Sequence, residues 1–164
     1  MTNSKKVMQL EAKIIHSIFK EKDLTLSVAE SCTGGLICHY LTAVPGASRF
    51  LQAGIVTYSA ESKKRILGIP QKIFSSHGIV SEETARQMAE RMRALTKTDV
   101  AVSTTGNLGP NVLEEKPKGL VFVAVSFKKG TVSKKLLLKG TRTQIKEKAV
   151  LAALRFLAEV VTNG

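Results

Sequence analysis

Residues 120–127 read LVFVAVSF. A strand with one face in water alternates apolar and polar residues, so this near-continuous apolar run requires burial on both faces. A sheet buried on both faces needs helices above and below it, and the sequence on either side supplies them.

Toward the C-terminus, KKG at 128–130 forms a turn into TVSKKLLLK, a more polar strand that belongs nearer a sheet edge. Thr141 with Gln144 then makes a capping box for a last helix, whose inner face takes Ile145, Ala149, Ala152 and Phe156. Toward the N-terminus, DVAVST at 99–104 reads as a strand. Before it, Ser81 followed by Glu82 and Glu83 opens a helix to about Lys97, with acids where the helix start is positive.

AGIVTYS at 53–59 is another strand, rich in β-branched residues and followed by a short helix over ESKKRIL with Ser59 as its cap. LTLSVA at 24–29 suits a buried strand, after which Gly34 and Gly35 open a helix through Leu41 that stops before Pro45-Gly46. From Lys5 to Lys22, Val7, Leu10, Ile14, Ile15 and Ile18 recur at the helical period. Helices that alternate with strands and end in a hairpin predict an α/β fold of three αβα layers around a mixed sheet of about five strands. The 164 residues suit a single domain over 1–164 with one core.

Composition narrows the function classes. No apolar run approaches the roughly 18 residues of a membrane span, and MTNSKKVMQLEAK lacks a signal-peptide core, so a cytoplasmic protein without a membrane partner is expected. Cys32 and Cys38 have no zinc or disulfide-framework spacing, and His16, His39 and His77 are scattered, so no metal site is expected. The 25 Lys+Arg against 13 Asp+Glu give a formal charge of +12, which favours an anionic partner. The basic residues are spread from Lys5 to Arg155, and with 5% aromatics and no Trp there is little surface for stacking bases, so nucleic acid is not the expected partner.

Chemistry gathers at strand ends, where open α/β sheets place their sites. In AESCTGGLI (29–37), glycines after Ser31, Cys32 and Thr33 allow close approach of a ligand to backbone N–H groups, although a hydroxyl before Gly-Gly serves equally as a helix cap. In VTYSAESKKRILG (56–68), Tyr58 ends a strand and Lys63 falls near the first turn of the next helix, where burial would make it a base; a solvated basic run is the alternative. TTGNLGPNVLEEKPKG (104–119) is long enough for a binding loop or a plain surface loop, with Lys116 able to meet a phosphate. Arg142, in the first turn of the last helix, is either an anion clamp or an exposed arginine.

Taken together and in order, AESCTGGL, VPGAS, YS-x-x-x-K, LG-(I/V)-P, HG-x-VSEE-x-A, TG-x-x-GP, KP-x-G and the last-helix G-x-R resemble one family. It is the C-terminal domain of competence-damage-inducible CinA and the stand-alone nicotinamide mononucleotide (NMN) deamidases, matched from about Leu24 to Ala158. The resemblance implies hydrolysis of the NMN carboxamide to nicotinate mononucleotide and ammonia, a pyridine-nucleotide salvage reaction that uses neither metal nor organic cofactor. It assigns Ser31 as nucleophile, Lys63 as general base and Tyr58 as an aid to proton positioning. Substrate contacts fall to Glu30, Thr33, Gly34, Gly35, Thr105, Gly106 and Arg142, with Glu30 orienting neighbours rather than attacking and the N–H groups around Thr33 to Gly35 facing the oxyanion or phosphate.

Asn111-Val112-Leu113 departs from the family's glycine-rich run, and Thr141 stands where an aspartate usually precedes the arginine. The CinA N-terminal domain has no counterpart, so a free-standing enzyme, and a homo-oligomer, are expected. The alternatives are a pyridine-nucleotide-binding protein without turnover, a basic nucleic-acid-binding protein, and Cys32 in place of Ser31 as nucleophile.

Overall fold

The computed structural model describes residues 3–164. Its elements run α1 (Asn3–Lys22), β1 (Leu26–Glu30), α2 (Leu36–Thr42), a 3₁₀ turn (Ala47–Arg49), β2 (Leu51–Val56), α3 (Ala60–Leu67), α4 (Gln71–His77), α5 (Glu82–Thr96), β3 (Val100–Gly106), β4 (Leu120–Phe127), β5 (Gly130–Leu137) and α6 (Arg142–Asn163). The five strands lie in the order β2-β1-β3-β4-β5. β2, β1 and β3 are parallel, while β4 and β5 are antiparallel to their neighbours.

β4 divides its side chains between two cores. Val121, Val123 and Val125 join α1, α2 and α6 on one face, and Leu120, Phe122 and Ala124 meet α5 on the other. A second cluster on that face joins Ala29 and Ala101 to Leu67, Phe74, Met88 and Met92 of α3, α4 and α5. The αβα sandwich expected from the alternation is therefore present, with α1, α2 and α6 on one side and α3, α4 and α5 on the other. β5 is an edge strand as its polarity suggests; the other edge is β2, whose alternating exposure fits that place.

Local signals placed most boundaries. Ser59 caps α3 through a capping box with Ser62, Ser81 caps α5 by accepting from the Thr84 N–H, and Thr141 and Gln144 form the box that starts α6. Three details differ. The buried stripe of α1 is Met8, Ala12, Ile15 and Phe19, while Leu10 and Ile14 face solvent, because two adjacent rows of this helix share the same period and tertiary contacts chose the less aliphatic one. On α6 the inner face takes Ala153 and Leu154 in place of Ala152. The short α4, begun at Pro70 and burying only Phe74, has too little periodicity to be read from sequence.

The parallel strands point their carboxyl ends at one rim, where Glu30, Val56 and Gly106 finish. The loop from Asn107 returns to that rim at Gly119, which donates to the Asn107 carbonyl at 2.7 Å and accepts from the Leu138 N–H at 2.8 Å. Gly119 has φ +86°, and a Cβ there would lie 1.8 Å from the Leu138 oxygen. Gly119→Ala should therefore lower unfolding free energy by more than about 1 kcal/mol in urea denaturation. An unchanged midpoint would show that the loop end moves freely.

Candidate functional site

The site begins with an acid used as a cap. Glu30, the last residue of β1, is fully buried, and its carboxylate accepts from the N–H groups of Gly35 (3.0 Å), Ile37 (3.2 Å) and Cys38 (3.0 Å). These charge-assisted bonds satisfy donors that the start of α2 would otherwise leave orphaned. Gly35, at φ 92°, is the N-cap and carries no side-chain cap of its own.

With Glu30 in that role, neither hydroxyl of the turn caps α2. Thr33 Oγ1 instead pairs with Thr104 Oγ1 at 2.8 Å, both residues being buried, which ties the turn to β3. The expectation that Gly34 and Gly35 aim their N–H groups at a ligand is corrected: Gly34 donates to the Ser31 carbonyl and Gly35 to Glu30. Among the described residues, no other residue accepts from the N–H groups of Ser31, Cys32 or Thr33.

Ser31 is left to Lys63. The Ser59 capping box fixes the start of α3, and Lys63, one turn along, sends its side chain back toward the helix start, as long helical side chains do. Its Nζ lies 2.8 Å from Ser31 Oγ and donates to the Thr57 carbonyl at 2.6 Å. Lys63 is wholly buried, and among the described residues no carboxylate lies within ion-pair distance of it.

Burial without a counter-ion pulls the Lys63 pKa down to about 8, against a small opposing pull from Cys32. Nζ donates to both oxygens as placed; in the neutral amine one N–H stays on Thr57 and the lone pair is free to take the Ser31 hydroxyl proton. Cys32 is the weaker candidate, since burial pushes its thiol up to about 12 and its side chain belongs to the α1/α2/α6 core.

Ser31 opens into a cleft of about 220 Å³ at the sheet rim, whose walls include Tyr58, Ile79, Val80, Thr105, Gly106, Leu108, Asn111, Leu113 and Arg142. Arg142, the first residue of α6, donates to Tyr58 Oη at 2.8 Å and to the Gly109 carbonyl at 2.5 Å. Tyr58 thus reaches the cleft through Arg142, and its hydroxyl makes no hydrogen bond with Ser31 or Lys63. Thr105 is buried, with Oγ1 donating to the Ile79 carbonyl at 2.9 Å. At Gly106 a Cβ would come within 2.7 Å of Val121, so glycine lets β3 and β4 close up beside the cleft.

The loop over the cleft is held by side chains. Asn107 donates to the Leu113 and Lys116 carbonyls and accepts from the Leu113 N–H. Glu114 accepts from the N–H groups of Ile79 and Val80. Lys116 bonds the His77 and Val80 carbonyls and pairs with Glu114 at 3.0 Å, so it fastens the loop to the segment before α5 and is not placed to meet a phosphate. The left-handed backbone that Val112 and Leu113 resist falls on Glu114 (φ 59°) and Glu115 (φ 53°) instead.

Sequence reasoning missed Thr57, Thr104, Asn107 and Glu114. Thr57 acts through its backbone carbonyl, which leaves no trace in residue type; Asn107, an asparagine between glycines, carried a turn signal that could have found it. No group of three or more His, Cys, Asp or Glu side chains gathers among the described residues, and no helix there is long and apolar enough to cross a membrane.

Residues 8–161 match the family model of the CinA C-terminal domain. A relative in Caldanaerobacter subterraneus subsp. tengcongensis, named for competence-damage induction, is 44% identical over 142 residues, covering 86% of this chain and 34% of its own length. A CinA-like protein of Syntrophus aciditrophicus is 43% identical, covering 92% of this chain and 36% of its own. The chain thus spans little more than a third of these relatives. Among solved structures, the competence/damage inducible protein CihA of Agrobacterium tumefaciens superposes with TM-score 0.90 at 34% identity, covering 95% of this chain and 96% of that one. The chain belongs to the CinA C-terminal domain family.

Proposed function

We propose that this chain hydrolyses the carboxamide of a pyridine mononucleotide, NMN, to the carboxylate and ammonia. The observation that carries this reading is the buried, unpaired Lys63 amine 2.8 Å from Ser31 Oγ. An alcohol near its ordinary pKa does not attack an amide unless a base removes its proton, and burial, by lowering the Lys63 pKa to about 8, gives it a neutral fraction that grows as pH rises through that value.

As the Ser31 oxygen bonds to the amide carbon, its proton passes to Lys63. The carbonyl electron pair moves onto oxygen, where the free N–H groups of the Ser31–Thr33 turn stabilise it. Lys63 then returns the proton to the departing nitrogen, the C–N bond breaks, and ammonia leaves an acyl ester on Ser31. Water, deprotonated by the again-neutral Lys63, attacks the ester; the acid departs and Ser31 regains its proton.

Ile79, Val80, Leu108 and Leu113 offer apolar contact to a pyridine ring, and the cleft suits the ring-and-carboxamide end of a nucleotide. Arg142 spends two of its five N–H donors on Tyr58 and Gly109 and keeps the others for a phosphate at the mouth. The formal charge of +12 favours the same anionic substrate.

Ammonia should be released when the protein is mixed with NMN. Ser31→Ala and Lys63→Met should each lower kcat by about a thousandfold or more, while calorimetry still detects NMN bound to Ser31→Ala. NMN that binds but yields no ammonia between about pH 6 and 10 would favour a binding protein without turnover.

The pH profile of kcat/KM should rise through about 8 as Lys63 loses its proton. A profile flat from about pH 6 to 10 would remove Lys63 as the base.

The same group sets a stability trend. Unfolded, Lys63 titrates near 10.5; folded, near 8. Between these values the unfolded chain holds the extra proton, so raising pH favours the folded state, and below 8 the penalty for charging the buried amine is fully present. Lys63→Met should be more stable than the parent at pH 7, and that advantage should shrink by on the order of 3 kcal/mol by about pH 10.5 in paired urea titrations.

A further inference from the structure

A second hollow lies at the other end of β1 from Ser31, between the C-terminal half of α1 and the VPGAS segment at 44–48. It measures about 650 Å³, within the range of small-molecule sites. Lys13, His16, Ser17 and Lys20 form one stripe of α1, at spacings of three, four and seven, along one wall, and Arg49 faces it from the opposite one.

Lys13, Lys20 and Arg49 are exposed, and among the described residues none of their side chains has a hydrogen bond or ion pair. Of the two acids of α1 that flank this stripe, Glu11 is turned away to Arg155 of α6 at 2.7 Å, and the exposed Glu21, next to Lys20 in sequence, does not line the hollow. Asp23, at the end of the hollow, is its one acid. Two lysines and an arginine without side-chain partners thus line the hollow against a single acid, a positive lining that favours an anion.

Leu24, Val44 and Pro45 offer accessible apolar contact, over a buried aromatic floor. Phe19 and Phe50 pack with centroids 5.3 Å apart, and the half-buried His16 stands edge-on to Phe50 at 4.7 Å. The His16 ring is fixed by its Nε2 contact of 2.9 Å with the Leu41 carbonyl, and among the described residues Nδ1 has no partner. At the rim Gly46 has φ 95° and nothing within 4 Å of where a Cβ would stand.

We propose that this hollow binds a phosphomonoester with an apolar ring body, of mononucleotide size: Lys13, Lys20 and Arg49 take the phosphate, and His16 Nδ1 takes a polar edge of the body. A small molecule fits better than a nucleic-acid strand. Phe19 and Phe50 lie beneath the rim with 1% and 3% of their surface exposed, so they present no open platform for successive bases. This site is separate from the Ser31 cleft, and its failure would leave the amidase reading standing.

The test is an amide NMR titration of the ¹⁵N-labelled chain with adenosine 5′-monophosphate, in parallel with inorganic phosphate and a short DNA duplex. Saturable shifts are expected at residues 13–20 and 44–50, with a Kd below about 1 mM, and weaker binding of inorganic phosphate. Lys13→Glu with Arg49→Glu should weaken binding at least about tenfold with an unchanged circular dichroism spectrum; should that pair fail to fold, Arg49→Ala alone should weaken it about threefold or more. No saturable shift in these segments up to about 10 mM, equal binding by the charge-reversed variant, or equal affinity for inorganic phosphate would overturn the proposal. A duplex that moves the same amides at lower concentration than the nucleotide would overturn it in favour of a nucleic-acid surface.

Discussion

Everything at the active rim depends on where the Glu30 carboxylate goes. An acid at the end of a buried strand, completely removed from water, needs hydrogen-bond donors; the first turn of α2 has donors that need an acceptor. Their union fixes the angle at which the chain turns from β1 into α2, and it occupies the cap position that Ser31 or Thr33 would otherwise fill. The outcome is a serine whose side chain has no structural task, at the end of a strand, beside a lysine.

Lys63 shows the opposite treatment of a buried ionisable group. Glu30 is surrounded by N–H groups, whereas Lys63 has only a carbonyl and a hydroxyl, both neutral. A lysine partnered by a carboxylate would be held charged and would be useless as a base. Glu30 is one residue from Ser31, yet its engagement with α2 keeps it out of ion-pair reach of the amine. One carboxylate therefore both builds the turn and, by being fully occupied, leaves the lysine unpaired. The energetic consequence is a site that costs the fold stability at neutral pH, and under the proposed function that cost is the counterpart of reactivity, a common trade at active sites.

Much of this was legible in the sequence because it rests on local rules. The strand LVFVAVSF, the caps at Ser59, Ser81 and Thr141, and the hairpin at Lys128–Gly130 each announce themselves through residue type and spacing, and together they define the three layers. Ser31 and Lys63 could be named as a pair, but their contact depends on the parallel pairing of β1 with β2, in which Glu30 stands opposite Val56 and the two following turns meet. What stayed hidden acts through backbone or through long-range choice. Thr57 contributes a carbonyl that any residue could supply, and the buried row of α1 was selected by α6 and α2 from two rows of equal period. Lys116 has the residue type of a phosphate ligand, but its position commits it to two backbone carbonyls and Glu114.

The stretch Asn111-Val112-Leu113 illustrates how a loop can change its sequence and keep its course. Glycine-rich loops owe their shape to residues that tolerate left-handed angles; here left-handed angles fall on Glu114 and Glu115. Acidic residues bear that conformation at some cost, which Glu114 offsets by accepting from the Ile79 and Val80 N–H groups. Asn107 holds the other side of the same turn with three hydrogen bonds to its backbone. Backbone freedom has been replaced by side-chain anchorage, and the substitution frees Asn111 and Leu113 to line the cleft with an amide and an apolar surface that glycine could not provide. The departure from the family pattern is thus concentrated where it alters what the cleft touches, while the Ser31–Lys63 contact beneath it is built from residues that the loop does not reach.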